Sequence, residues 1–405
     1  MKRIVFLLAV FAVISGALGA QDQGVAPQAQ PSTTQRQQPG KDFYTLQFDM
    51  QATLERKLGV VKSAASSGEG TTAFYAYALD TLVKTYPNVR GANETNAADE
   101  MALILAARLG EAEYTEAGPN LWSVVQAFSA PLVRAEALAA MGKVQAVQFL
   151  PQVVQLLSDY NQDQGSNPRE REQVSYGAII ALEEYKDSSG YLPVFFATIA
   201  WYTERVKSRA KEALPKILDN PTESLVSVIK SSSYNYQVKY TALQVLEAAD
   251  VTTQQKSQGA VAALTESWRN TTASISQRSI LANMRKFALS MIRRYGTEDA
   301  NVYPALSRCY KEGIDPEEQI GAIKALEKLA TDDSVRILSG FLNDINVRLA
   351  SGALTREDER LVREIIPSLG ATGRPSAKEA LRTVTQYGWT SAVLKLAQDN
   401  MKKLP

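Results

Sequence analysis

Few residues in this 405-residue chain have the types and spacing that chemistry needs. Ser227 and Lys230 stand three apart in "SVIK", which sets an amine one helical turn from a hydroxyl, the arrangement of a self-activated acyl-transfer nucleophile. The Lys-Thr-Gly that completes such a site is absent, and Ser227 falls in a helical pattern, so the pair reads as chance. Gly68-Glu-Gly70 lacks the following Lys-Ser/Thr and the preceding strand of a phosphate loop. Adjacent carboxylates occur at Glu183-Glu184, Asp332-Asp333 and Glu357-Asp358. Two carboxylates in a groove can do acid–base work, but acidic residues at a helix start are accounted for by the helix dipole, and nothing in the sequence selects one pair. No calcium loop of the Asp-x-Asp-x-Asp-Gly kind is present.

The chain has no histidine, which removes the commonest general base and the commonest zinc ligand. Its one cysteine, Cys309, can close no internal disulfide; beside Leu306 and Tyr310 it reads as a small buried apolar residue. Lys plus Arg number 44 and Asp plus Glu 43, so there is no basic excess to hold a phosphate backbone, and nucleic acid is not an expected partner. No catalytic, cofactor or metal-binding residue is assigned, and the chain is read as a non-enzyme.

Residues 1–20, "MKRIVFLLAVFAVISGALGA", have the form of an export signal: Lys2 and Arg3, an apolar stretch from Ile4 to Ile14, then small residues, with cleavage expected near Gly19 or Ala20. Residues 21–41 are rich in Gln, Pro, Ser and Thr and too poor in large apolar groups to form a core, so they read as a disordered linker. No later stretch is long and apolar enough for a transmembrane segment. Asn93 and Asn270 begin glycosylation sequons, relevant only in a eukaryote; the signal and the repeats suggest a bacterial protein.

From about residue 45 onward apolar residues recur at offsets of three and four. One phrase repeats: a small anchor followed by an apolar neighbour, with apolar or small residues three and four further on. The anchors are Ala102, Ala137, Ala178, Ala210, Ala242, Ala288, Ala322 and Ile365, spaced by 35, 41, 32, 32, 46, 34 and 43 residues. That period suits a pair of helices with short turns, and a small anchor lets a neighbouring helix approach closely. Second helices are predicted at 149–159, 222–232, 300–310 and 333–344. Gly142, Gly296 and Gly370 fall between paired helices, and Gly142 and Gly370, five residues after their anchors, are expected to close helices in the left-handed conformation. The long interval before Ala288 is assigned to an inserted loop at 269–277.

The pairs resemble HEAT repeats, particularly the short variety of bacterial proteins. The likeness rests on "APLVRAEALAAMGKVQAVQFLPQVVQLLSD" (130–159), with support from "SVRILSGFLND" and "LVREIIPSLGATGRPSAKEALRTV". It implies an all-α superhelical α-solenoid of about eight or nine helical pairs: an N-terminal cap pair over 42–96, then repeats over 97–405, with "TSAVLKLAQDNMKKLP" as the capping end. The basic residues three before the anchors, Arg134, Lys207, Lys239 and Arg285, read as partners for turn carbonyls or carboxylates of the adjacent repeat rather than as a ladder for an anion. Phe195, Phe196 and Tyr240 are expected in the core; Tyr234 and Tyr236, in the polar turn "SSSYNYQ", are the candidate partner contacts.

The family resemblance implies partner binding and no specific chemistry. The expected function is therefore a periplasmic or secreted, non-catalytic scaffold or adaptor for a protein or peptide partner in the cell envelope. The alternatives are an envelope enzyme or accessory using groove carboxylates, and a binder of envelope polymer or lipid.

Overall fold

The computed structural model describes residues 42–269 and 274–405. The export signal, the linker and the Asn270 sequon lie outside the described residues, as do residues 270–273 of the loop expected at 269–277. The described residues form an all-helical protein with a repeat-like architecture and no strand among them.

Twenty α-helices follow one another: α1 (Phe43–Asp49), α2 (Leu54–Ser67), α3 (Thr72–Thr85), α4 (Ala92–Glu111), α5 (Gly118–Ala127), α6 (Pro131–Lys143) and α7 (Leu150–Gln162). Then come α8 (Pro168–Tyr185), α9 (Tyr191–Ala197), α10 (Glu204–Ile217), α11 (Thr222–Lys230), α12 (Tyr236–Ala248), α13 (Thr253–Glu266) and α14 (Ile275–Tyr295). The last six are α15 (Val302–Glu312), α16 (Pro316–Leu329), α17 (Asp332–Ala350), α18 (Arg356–Ala371), α19 (Ala377–Thr383) and α20 (Ser391–Met401).

Local sequence sets many of the starts. Thr53, Thr71, Asn167, Asn235 and Thr331 accept a bond from a first-turn N–H, and Thr252, Ser274 and Thr355 form reciprocal capping boxes. Ser274 and its box explain the long interval before Ala288. The extra residues extend the anchor helix: α14 has 21 residues where α12 has 13. At the N-terminus the span read as a cap pair holds three α-helices, α1 to α3.

All substantial helix–helix packing is between helices one or two apart in order. Each anchor lies on an even-numbered helix, and all eight are fully buried. Even helices pack on even helices, α4 on α6, α6 on α8 and so on, at every step but that from α10 to α12, while the odd helices pack beside them. A single apolar core runs from Tyr44 to Leu404. A stripe on one pair is thus covered by the next, which is how a repeat that cannot bury its own face becomes stable.

Helix closure departs from the expectation. Gly142 and Gly370 sit inside α6 and α18 in helical conformation, and their value is room, not a left-handed turn. A Cβ on Gly142 would stand 2.7 Å from the Cα of Ala181 on α8, and one on Gly370 would stand 2.6 Å from Asn400 Oδ1 on α20. The left-handed residue falls eight positions past the anchor: Gln145, Lys186, Gly296, Ala330 and Gly373, after Ala137, Ala178, Ala288, Ala322 and Ile365. Of these only two are glycine. Glu113 is left-handed at the end of α4, which makes Leu105 rather than Ala102 the equivalent of Ala137. The closures of α4 and α6 recapture their last carbonyls: Tyr114 N bonds Leu109 O and Ala146 N bonds Met141 O, both at 3.1 Å.

Candidate functional site

The regular stacking opens at one step. α10 packs on α8 and α9, and α11 on α12 and α13, but close packing of α10 against α12 drops out of the series. The sequence accounts for it. Position eight past Ala210 is Leu218, with φ −147° and ψ 116°, so α10 ends extended. Asp219-Asn220-Pro221 follows: proline pushes the residue before it out of the helical region, and Asn220 Oδ1 accepts from Thr222 N (3.2 Å) and Oγ1 (2.7 Å), starting α11. Pro215, within the last turn of α10, has no N–H to offer Lys211 O. α12 also ends extended, at Ala249 (φ −67°, ψ 151°), and the Thr252 capping box starts α13 three residues on.

The gap is a cleft of about 830 Å³. Lys211, Leu214, Pro215 and Leu218 line one wall at helical spacing; Thr241, Gln244, Val245 and Ala248 line the other. Tyr191 and Ile199 lie at its base, and burial holds the Tyr191 hydroxyl well above the usual phenol range. Asp219, Pro221, Ala249 and Asp250 close the end where α10 and α12 terminate. The basic residues of α10 are mostly engaged elsewhere: Arg209 and Lys216 both bind Glu183, at 2.5 and 2.9 Å. Lys211, Asp219 and Asp250 have no ion-pair partner among the described residues. A second, smaller hollow of about 480 Å³ lies between α6, α8 and α10, with Leu132, Arg169, Tyr176 and Arg205 on its walls.

Tyr234 and Tyr236 do not reach the cleft. Both are half-buried at the opposite end of α12. The Tyr234 ring rests 5.0 Å from that of Phe196, and Lys239 Nζ lies 5.7 Å from the centre of the Tyr236 ring. Phe195 is fully buried, while Phe196 and Tyr240 are only partly so.

Three of the four basic residues before the anchors, Arg134, Lys239 and Arg285, serve the stack as expected. Arg134 Nε donates to Val125 O at 2.9 Å and its NH2 to the Tyr160 hydroxyl at 3.1 Å. Lys239 meets Glu266 at 2.5 Å, and Arg285 binds both oxygens of Glu318 at 2.6 and 3.2 Å, all four residues buried. Lys207, on α10, reaches only Glu204 of its own helix, at 4.0 Å. Ser175 and Gln319 hold the same position without charge and still bond a neighbour, the Tyr202 hydroxyl and Tyr310 O, both at 2.9 Å.

The other chemically suggestive residues are engaged structurally. Ser227 Oγ donates to Ser224 O of its own helix at 2.7 Å. Burial raises the Glu183 carboxyl, but hydrogen bonds from Arg209 and Lys216 outweigh it and hold the group below its usual range. Burial likewise raises Asp358, and the Arg348 and Thr355 hydrogen bonds bring it below the usual range. Asp99 is shifted upward by burial, but it stands on α4, away from the cleft. Cys309 is buried and its thiol is pushed up to about 12, which leaves it protonated and inert. Among the described residues no group of three or more Cys, Asp or Glu is placed to hold a metal, and no helix is long and apolar enough to cross a membrane.

No known protein family matches the chain, and no curated protein is similar to it. Among solved structures, the crystal structure of an engineered protein from a structural genomics consortium shares 17% identity, covering 88% of this chain and 98% of its own. Its TM-score of 0.34 is too low to support an argument.

Proposed function

We propose that the protein is an exported, non-catalytic helical-repeat scaffold that binds a protein or peptide partner in the cell envelope. On this reading the stacked pairs continue into a HEAT-like solenoid, residues 1–20 direct export and are removed, and residues 21–41 tether the folded body. The observation that carries it is the open step between α10 and α12: an apolar-walled cleft with a polar rim, in a protein whose other polar clusters are spent on holding helices together. Repeat proteins bind through extended surfaces built by neighbouring units, and a hollow lined by two helices at matching spacing suits a docked segment.

The test is in-cell photocrosslinking of the full-length protein with a photoreactive residue in place of Gln244, followed by mass spectrometry. One stoichiometric protein partner is the expected result. Recovery of no protein, with a small molecule co-purifying instead, overturns the scaffold reading.

A further inference from the structure

The cleft between α10 and α12 is chemically asymmetric along its length. Both walls are helical stripes that run down to a helix C-terminus, and each stripe ends in an unpaired carboxylate, Asp219 beyond α10 and Asp250 beyond α12. A helix C-terminus carries about half a negative charge, concentrated on the last carbonyls. At α4 and α6 left-handed closures recapture such carbonyls. At α10 and α12 the chain leaves extended, and among the described residues the backbone N–H groups that return to their last turns are Leu218 N to Leu214 O and Ala249 N to Val245 O. Lys216, the basic residue in the last turn of α10, is bound to Glu183. At the end of α12 one last-turn carbonyl, Glu247 O, is met by Lys256 Nζ at 2.6 Å; Asp219 and Asp250, which have no ion-pair partner among the described residues, therefore meet at one end of an apolar trough. Lys211, the cation among the lining residues, stands back along α10, roughly 9 Å of helix rise from its last residue, Ile217.

We infer that the cleft accepts a peptide segment in which a Lys or Arg sits beside aliphatic side chains. The aliphatic groups lie on Leu214, Leu218 and Val245, and the basic group reaches the Asp219–Asp250 end. Lys211 disfavours the reverse orientation and disfavours a second basic residue at the far end. This inference rests on the scaffold reading and specifies the chemistry of its partner: complementary charge sets register and specificity, while apolar contact supplies the area.

The experiment is display selection of random twelve-residue peptides on the immobilised full chain, followed by affinity measurement of the enriched peptides. The variants are Asp219→Asn, Asp250→Asn, the double variant and Gln244→Trp, which fills the cleft from an exposed position; thermal melts establish that each is folded. The expected result is enrichment of Lys or Arg next to Leu, Ile or Val. Affinity should fall about fivefold for each single Asp variant and more than tenfold for the double variant, with loss of binding in Gln244→Trp. Enriched peptides of acidic or neutral composition, or peptides indifferent to all four variants, overturn the cleft assignment while the scaffold reading stands on its crosslinked partner. Failure to enrich any peptide overturns the cleft assignment too, and the crosslinking result then decides the scaffold reading separately.

Discussion

The steps α6 to α8 and α10 to α12 join helices of the same kind and differ in closure. At the first, Gly142 and Gly177 bring two helix backbones together; a Cβ on Gly177 would land on the Ala135 carbonyl oxygen. Gln145 then turns left-handed and its side chain bonds Glu184 O at 2.7 Å. At the second, no glycine stands at the equivalent positions, proline interrupts the helix end, and the exit is extended. The basic residue before the anchor follows suit: Arg134 reaches across to Tyr160, whereas Lys207 stays on its own helix. The difference teaches that one change of backbone exit removes several cross-step contacts together, and that the same change makes a hollow.

The largest expected effect breaks a closed step. Arg285→Ala leaves Glu318, fully buried, without its partner. Removing one member of a buried ion pair costs about 3–5 kcal/mol, and chemical denaturation with urea should show a stability loss of that order. Gly177→Ala tests the tight step, where overpacking costs about 1–3 kcal/mol. Its counterpart at the open step, Ala248→Leu, should stay within about 0.5 kcal/mol of the parent. Equal losses at both sites would erase the distinction between the two steps.

Acid provides a third and smaller perturbation. Glu183 and Asp358 both ionise below their usual range when folded, so each stabilises the protein fully above the ordinary carboxylate pKa of about 4 and loses that contribution as pH falls through the lowered folded value. Thermal midpoints should be flat from neutral pH to about 5 and decline below about 4, with a shallower decline in Asp358→Asn. The smallest effect concerns closure itself. Ala330 holds φ at 51°, and Ala330→Gly should raise stability by up to about 1 kcal/mol, because glycine adopts that conformation without steric cost.

The anchors were legible because burial of a small residue beside larger ones every three or four positions leaves a periodic trace. All eight fall on even helices, although the frame slips by one turn at the first, where Ala102 and Leu105 are both buried and only Glu113 distinguishes them. The left-handed closures are hidden because Glu113, Gln145, Lys186 and Ala330 lack glycine's signature, while, of the three glycines expected between paired helices, Gly142 and Gly370 are helix contacts and only Gly296 closes a helix. The cleft was hidden because it depends on the distance between two helices whose own patterns are ordinary. The trace it left is the Asp219-Asn220-Pro221 stop after a helix that already contains Pro215. Tyr234 and Tyr236 stand out in the sequence by side-chain type, but Tyr234 is propped on Phe196 and neither lines the hollow.

The open step also bears on how the protein comes apart. In a linear array, each unit stays folded partly through the interface it shares with the next, and cooperativity passes along the chain only as far as those interfaces are strong. Where α10 and α12 part, that coupling thins. Residues 43–217 and 222–405 should then melt separately although one core runs through both, and a urea titration followed by Trp122 on one side and Trp389 on the other should give two midpoints in place of one.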